Sequence, residues 1–265
     1  MFKKLFFCLA AVFIALFSLM GLKQADQPQL AVLLYHHFIP EADKTVYLNN
    51  GLVMPVESFA WQMKYLYENQ YHTVTSNELR AFLYEKKALP PKSVMLTFDD
   101  GYMSNYLLAY PILKQYRFTA VLFAITGSVQ TKDQEYHSDQ MDMLSWVQMA
   151  AGSDIFEYAS HTNALHTPVN GKTGFVSAPL DEVQADLIRS QRRINNKKLF
   201  AYPLGQYNSQ TIDILRNNGV DMAFTVNKGY VSQNSDPLLL NRVTVYSSFD
   251  IKTFESVVTC RYKYR

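Results

Sequence analysis

Two rhythms of apolar residues alternate along this chain: short continuous runs, and stripes spaced three and four residues apart. A continuous run bounded by polar or turn residues predicts a strand buried on both faces. Ala31-Val32-Leu33-Leu34-Tyr35 is the first such run, and it ends in His36-His37. Tyr71 to Val74, Val94 to Phe98, Thr119 to Ala124, Ile155 to Ala159, Leu199 to Tyr202, Met222 to Val226 and Leu238 to Val245 follow. Helical stripes lie between them. Phe59, Met63 and Leu66 form one; Leu79, Phe82 and Leu83 form another behind a Thr75–Glu78 capping box; Leu180, Val183, Leu187 and Ile194 form a third. A helix over about 104–116 is interrupted or restarted at Pro111. Another begins near Ser145 and stops at Gly152, Ser209 caps one that stops at Gly219, and a last helix follows Ser247. The stretches 38–56 and 162–178 keep neither rhythm and read as an irregular segment and a polar loop. The pattern predicts an α/β fold, a distorted (β/α) barrel of about seven or eight strands, without repeats or a second domain.

The N-terminus departs from that pattern. Met1-Phe2-Lys3-Lys4 precedes Leu5 to Leu22, which carries no charge. Such a segment is a secretory signal or a short membrane anchor. Lys23-Gln24-Ala25 places Lys where a cleavage site wants a small residue, which favours an uncleaved anchor. The lysines favour an N-terminus inside and the remainder outside. The chain therefore divides into a signal or anchor over 1–22, a linker over 23–29 and one domain over 30–265. Its expected location is the extracellular face of the membrane, or secreted.

Composition narrows the classes. The 265 residues, 48% hydrophobic and 14% aromatic, suffice for one sizeable core. A net charge of +2 is too small to argue for nucleic acid. Lys86-Lys87, Arg192-Arg193 and Lys197-Lys198 read as solvated helix faces or ends. Cys8, in the apolar run, and Cys260 make neither a disulfide scaffold nor a Cys-ligated zinc centre.

Candidate chemistry gathers at strand ends. Val94 to Phe98 runs straight into Asp99-Asp100-Gly101. Neighbours on a strand point to opposite sides, so two acids in a row need a turn to act together, and Gly101 allows one. The pair is either two carboxylates with separate roles at an active-site mouth or an Asp-rich helix cap. His36, His161, His166, the Pro203–Gly205 turn and Arg242 also sit at or just past predicted strands, so a parallel barrel brings them to one face. On a regular helix, His161 and His166 would point about 140° apart, whereas a loop can aim both at one ion. Two imidazoles and one carboxylate make a three-ligand site with an open position, the catalytic zinc pattern. A second carboxylate could take a proton from water, and a separate histidine could protonate the leaving group. His72 and His137 read as structural or solvated, and Trp61, Tyr106, Tyr110 and Trp146 as core.

Thr97-Phe98-Asp99-Asp100-Gly101, followed by Ser160-His161-Thr162 and His166, resembles the polysaccharide deacetylases of carbohydrate esterase family 4. Tyr35-His36-His37, Ala201 to Gly205 and Leu240 to Val243 extend the resemblance to the branch of intercellular-adhesin, poly-N-acetylglucosamine deacetylases. It covers about residues 30–257 and implies a circularly permuted barrel. By that resemblance Asp99 is the general base and His36 the general acid, strand parity letting only one of His36 and His37 face inward. Asp100, His161 and His166 hold a divalent metal, Zn2+ before Ni2+ or Co2+. The backbone near Leu204, with Tyr202, Pro203 and Gly205, helps hold the oxyanion, and Arg242 pairs with Asp99. Three departures stand out. The histidines are five apart rather than four, no Arg precedes the Pro203 turn, and no His follows His166. The implied substrate is an extracellular N-acetylglucosamine polymer such as poly-β-1,6-N-acetylglucosamine; peptidoglycan and chitin-type oligomers are the alternatives. Tyr47, Asn49 and Asn50 are candidates for selecting among them. A non-catalytic glycan-binding module is the reading from another class. The chain is expected to be a monomer that meets the membrane through its N-terminal segment and does not bind nucleic acid.

Overall fold

A computed structural model describes residues 29–47, 50–196 and 198–264. The predicted anchor and Asn49 lie outside them. Among the described residues no helix is long and apolar enough to cross a membrane.

Seven parallel strands close into a ring in chain order. They are β1 (Gln29–Tyr35), β2 (Ser93–Phe98), β3 (Ala120–Ala124), β4 (Phe156–Ser160), β5 (Leu199–Ala201), β6 (Met222–Lys228) and β7 (Leu240–Thr244). β1 pairs with both β2 and β7, which closes the barrel. Helices cover the outside: α1 (Val56–Glu68), α2 (Ser76–Tyr84), α3 (Tyr110–Tyr116), α4 (Trp146–Ala151), α5 (Leu180–Ile194), α6 (Ser209–Asn217) and α7 (Ile251–Val258).

Strand alternation sorts the core into layers. Leu30, Val32, Met95, Val121, Phe123, Ala159, Ala201, Phe224 and Leu240 pack together inside the barrel. Ala31, Leu33, Tyr35, Leu96 and Phe98 face outward, against Phe59, Met63 and Leu66 of α1 and Phe254 of α7. That parity places the polar residues. Asp99 follows Met95 and Thr97 to the inside, Arg242 follows Leu240, His161 follows Ala159, and His36 follows Leu30 and Val32. Pairing of Tyr35 with Phe98 sets His36 level with Asp99 at the mouth.

Several sequence expectations are corrected. The 38–56 segment holds a parallel strand pair, His37–Ile39 with Val53–Pro55, and a 3-10 helix over Glu41–Tyr47. Three-residue strands are too short to show a period, yet they pair once the chain doubles back. The 162–178 loop contains a hairpin, Pro168–Val169 with Lys172–Thr173, turning at Asn170-Gly171, where both φ angles are positive. The helix cap expected at Ser209 is Asn208, whose carboxamide accepts from Thr211 N–H. The helix over 104–116 splits into a π-helical turn, Asn105–Ala109, and α3. The Pro111 ring would clash with the carbonyl four residues back in a regular helix, and the wider turn relieves that clash.

Candidate metal centre and active site

The turn after β2 begins one residue earlier than Gly101. Asp100 itself has φ +72° and Gly101 φ +89°. This left-handed step swings the Asp100 side chain back toward the side that Asp99 faces, so the two neighbours share one centre. His161 Nε2 lies 4.0 Å from Asp99 Oδ2 and 3.5 Å from Asp100 Oδ1. His166 Nε2 lies 3.3 Å from the same Asp100 oxygen.

The donor atoms of Asp100, His161 and His166 all lie within 4.8 Å of one another. Bonds of about 2.0–2.1 Å in a tetrahedral site put neighbouring ligand atoms roughly 3.3–3.4 Å apart, so these spacings fit an ion. The hydrogen bonding fits too. His161 Nδ1–H donates to Ala201 O at 2.8 Å. In the neutral ring, Nε2 then turns a lone pair toward a carboxylate oxygen, a contact that a cation between them makes favourable. Burial, and then the neighbouring His161, push His166 below its ordinary pKa toward the neutral, ligating form.

A scaffold around 160–166 explains how histidines five apart converge. Thr162 takes φ +71°, which breaks the strand. Asp186 of α5 accepts from Asn163 N–H at 2.8 Å and Ala164 N–H at 2.7 Å. Asn163 Oδ1 accepts from Thr126 Oγ1 and from Arg193 Nη1, both at 3.1 Å. Arg193 is thus a partner of the loop, not the solvated charge its cluster suggested. Ser190 Oγ donates to Thr162 O at 3.2 Å. Burial, and then the Asp100 carboxylate, push the Tyr102 hydroxyl well above its ordinary pKa. None of these supports had a signal in the sequence beyond being polar at a helix or loop position.

Asp99 is 2% exposed, and Arg242, from within β7, is fully buried. The two meet through parallel bonds, Nη1 to Oδ1 and Nη2 to Oδ2, each 2.7 Å. Arg242 Nε donates to Thr225 O at 2.8 Å, so the guanidinium plane is fixed. Burial alone would raise the Asp99 carboxyl; Arg242 outweighs it, helped by His161 and His36, and holds the pKa down to about 2. Asp99 is therefore an ionised acceptor at neutral pH, beside the three residues that could hold a metal.

His36 sits between β1 and His37, partly buried, with its charge felt at Asp99. His37 turns away. Its ring packs edge-on against Tyr47 and Tyr102, and burial lowers its pKa to about 4. Pro203–Gly205 forms a 3-10 turn right after β5, with φ +51° at Leu204 and +68° at Gly205. Gly205 N–H and Gln206 N–H bond to Tyr202 O and Pro203 O, which leaves the Leu204 N–H as the donor within this turn. The Tyr202 side chain does not join the site: it is buried against Phe175 and Phe200, and its hydroxyl donates to Leu238 O at 3.0 Å. His72 has the partner that the sequence did not suggest, Glu78 Oε1 at 2.7 Å. His137 pairs with Asp142 at 3.3 Å.

Comparison with known proteins agrees with this geometry. The polysaccharide deacetylase family model matches residues 86–223. A Bacillus subtilis protein, YxkH, named for the same deacetylases, is 30% identical over 229 residues, covering 84% of this chain and 74% of its own length. The poly-β-1,6-N-acetyl-D-glucosamine N-deacetylase of Staphylococcus aureus is 29% identical over 197 residues, covering 71% of this chain and 66% of the relative. The structure of IcaB from Ammonifex degensii superposes with a TM-score of 0.71 at 27% identity, covering 89% of this chain and 98% of that one. The chain belongs to the polysaccharide deacetylase family, and with it to the hydrolases of non-peptide carbon–nitrogen bonds.

Proposed function

We propose that this protein removes acetyl groups from N-acetylglucosamine units of an extracellular polysaccharide, poly-β-1,6-N-acetylglucosamine before others, in a metal-dependent reaction. The observation that carries the proposal is one centre. Asp100, His161 and His166 converge with metal-ligand spacing, and an ionised Asp99 lies 4.0 Å from the His161 nitrogen. The substrate follows from the Staphylococcus aureus relative's activity on that polymer.

Asp100, His161 and His166 would hold a divalent ion, zinc before nickel or cobalt, which would supply the Lewis acidity to acidify a water and polarise the acetamide carbonyl. Asp99 accepts the proton of the attacking water. Arg242 keeps Asp99 ionised at neutral pH, and its fixed plane aims the carboxylate. The Leu204 N–H offers a hydrogen bond to the developing oxyanion. His36 donates a proton to the departing amine nitrogen, so acetate and a free amine leave. The amine is cationic at neutral pH, and the polymer gains positive charge. The protein works outside the cell, held at the membrane by residues 1–22 or released after their cleavage, as a monomer.

The test is acetate release from poly-β-1,6-N-acetylglucosamine, with peptidoglycan and chitin oligomers alongside, by wild type, Asp99→Asn and His161→Ala. D99N should bind metal yet release no acetate; H161A should lose both. Full metal occupancy in H161A sinks the ligand assignment. No acetate from any glycan by the metal-loaded wild type favours a binding module instead.

A further inference from the structure

Ser104 and Asn105 follow closely on the Asp99–Gly101 turn, and both are fully buried. Their side chains reach across to the segment that carries His36. Asn105 Nδ2 donates to the His36 carbonyl at 2.7 Å. Phe38 N–H donates to Ser104 Oγ at 3.0 Å, and the Ser104 hydroxyl proton is then free for His37 Nδ1, also at 3.0 Å. Two adjacent side chains thus pin three successive residues, His36, His37 and Phe38. The π-helical turn begins at Asn105, with Tyr110 N–H bonded to Asn105 O. Such widened turns break the regular spacing of side chains along a helix.

Three buried polar atoms here have no partner: Asn105 Oδ1, His36 Nδ1 and His37 Nε2. The first two belong to residues that a hydrogen bond already joins. Buried donors and acceptors left empty are costly, so such a pair calls for a reason. A histidine about to donate a proton from Nε2 carries hydrogen on both ring nitrogens, and its Nδ1–H then needs an acceptor. The carboxamide oxygen of Asn105 is an unfilled acceptor on the residue already bonded to the His36 carbonyl.

We infer that Asn105 is the positioning residue for the proton donor. It anchors the His36 main chain through Nδ2 and receives the Nδ1–H through Oδ1, so that Nε2–H faces the reacting amide. The inference rests on the reading of His36 as general acid. It carries a chemical consequence: Asn105 matters in proportion to how much the leaving group needs a proton. An amine must be protonated to leave, whereas 4-nitrophenolate leaves as a stable anion.

The experiment compares acetate release from N-acetylglucosamine oligomers with hydrolysis of 4-nitrophenyl acetate, in wild type, Asn105→Ala, Asn105→Ser and His36→Ala, each checked for metal content. The serine variant is the fallback should alanine unfold the protein. The inference predicts that both Asn105 variants lower the amide-to-ester rate ratio, by about 100-fold for N105A, as expected of a misplaced catalytic group. The loss should appear in kcat more than in KM. H36A should lower the ratio at least as far. A parallel fall of both rates in the Asn105 variants makes Asn105 merely structural and overturns the inference. An unchanged ratio in those variants, with a collapsed ratio in H36A, overturns it too but leaves the acid assignment standing. An unchanged ratio in H36A overturns the acid assignment and this inference with it.

Discussion

Replacing Arg242 by Met tests the electrostatics of the site, because it removes the charge while keeping much of the side-chain volume. In the wild type, Arg242 and its neighbours take the Asp99 carboxyl from an ordinary 3.8 down to about 2. That difference alone is worth about 2 kcal/mol of stability. The sign follows from the direction. A carboxyl depressed in the fold contributes fully above its ordinary pKa, and the contribution fades as pH falls through about 2. Without the guanidinium, the carboxyl does not simply return to 3.8, because burial at 2% exposure pushes it higher still. Breaking a buried pair from one side costs roughly 3–5 kcal/mol. R242M should therefore lose about that much in urea unfolding of the metal-free protein at pH 7. Its kcat/KM profile should also move its acid limb up by about 2 pH units or more, since the proposed base would then titrate where wild-type Asp99 is fully ionised. The double variant D99N/R242M, with neither charge, should be at least about 1 kcal/mol more stable than R242M alone. A loss under about 1 kcal/mol with an unmoved acid limb refutes the reasoning.

Three further outcomes are expected. Asp186→Ala frees Asn163 and Ala164 N–H from the helix that holds the His161–His166 loop, and should weaken metal binding about 10–100-fold in a competition titration; unchanged affinity would place that scaffold outside the site. Burial lowers His37 to about 4 from 6.5, so stability is complete above pH 6.5 and falls by about 3 kcal/mol as pH drops toward 4; in urea unfolding across that range His37→Gln should lose less, and parallel curves would contradict the cause. Gly205→Ala sets a methyl 2.2 Å from Val226 Cγ2 at φ +68°, and should cost about 1–3 kcal/mol in thermal unfolding, with slower acetate release as the Leu204 donor shifts.

The barrel was legible because buried parallel strands advertise themselves as apolar runs, and Val94 to Phe98 is the plainest of them. Strand parity carried Asp99, Arg242 and His36 to the inside without further information. What escaped depended on conformations that polar residues adopt only in context. The left-handed Asp100 defeats the rule that neighbours on a strand point apart, and Thr162 does the same between the two histidines. Asp186 reads as one more polar residue on an amphipathic helix until its two oxygens meet backbone N–H groups 22 and 23 residues away in sequence. Tyr202, next to the Pro203–Gly205 turn, reads in the sequence as lining the site, but an aromatic at the end of an interior strand has more to gain in the core. Asn170-Gly171 is a hairpin signal, but flanking strands of only two residues each are too short to show the alternation that would support it.

In the proposed reaction, one ion at Asp100, His161 and His166 and the ionised Asp99 together cleave acetamides of a glycan. Acetate released from poly-β-1,6-N-acetylglucosamine, followed through chelation and stoichiometric zinc return, tests it most directly. Turnover should be lost on chelation and restored at one zinc per chain, with D99N inactive throughout. Undiminished acetate release after the metal has been stripped would contradict it.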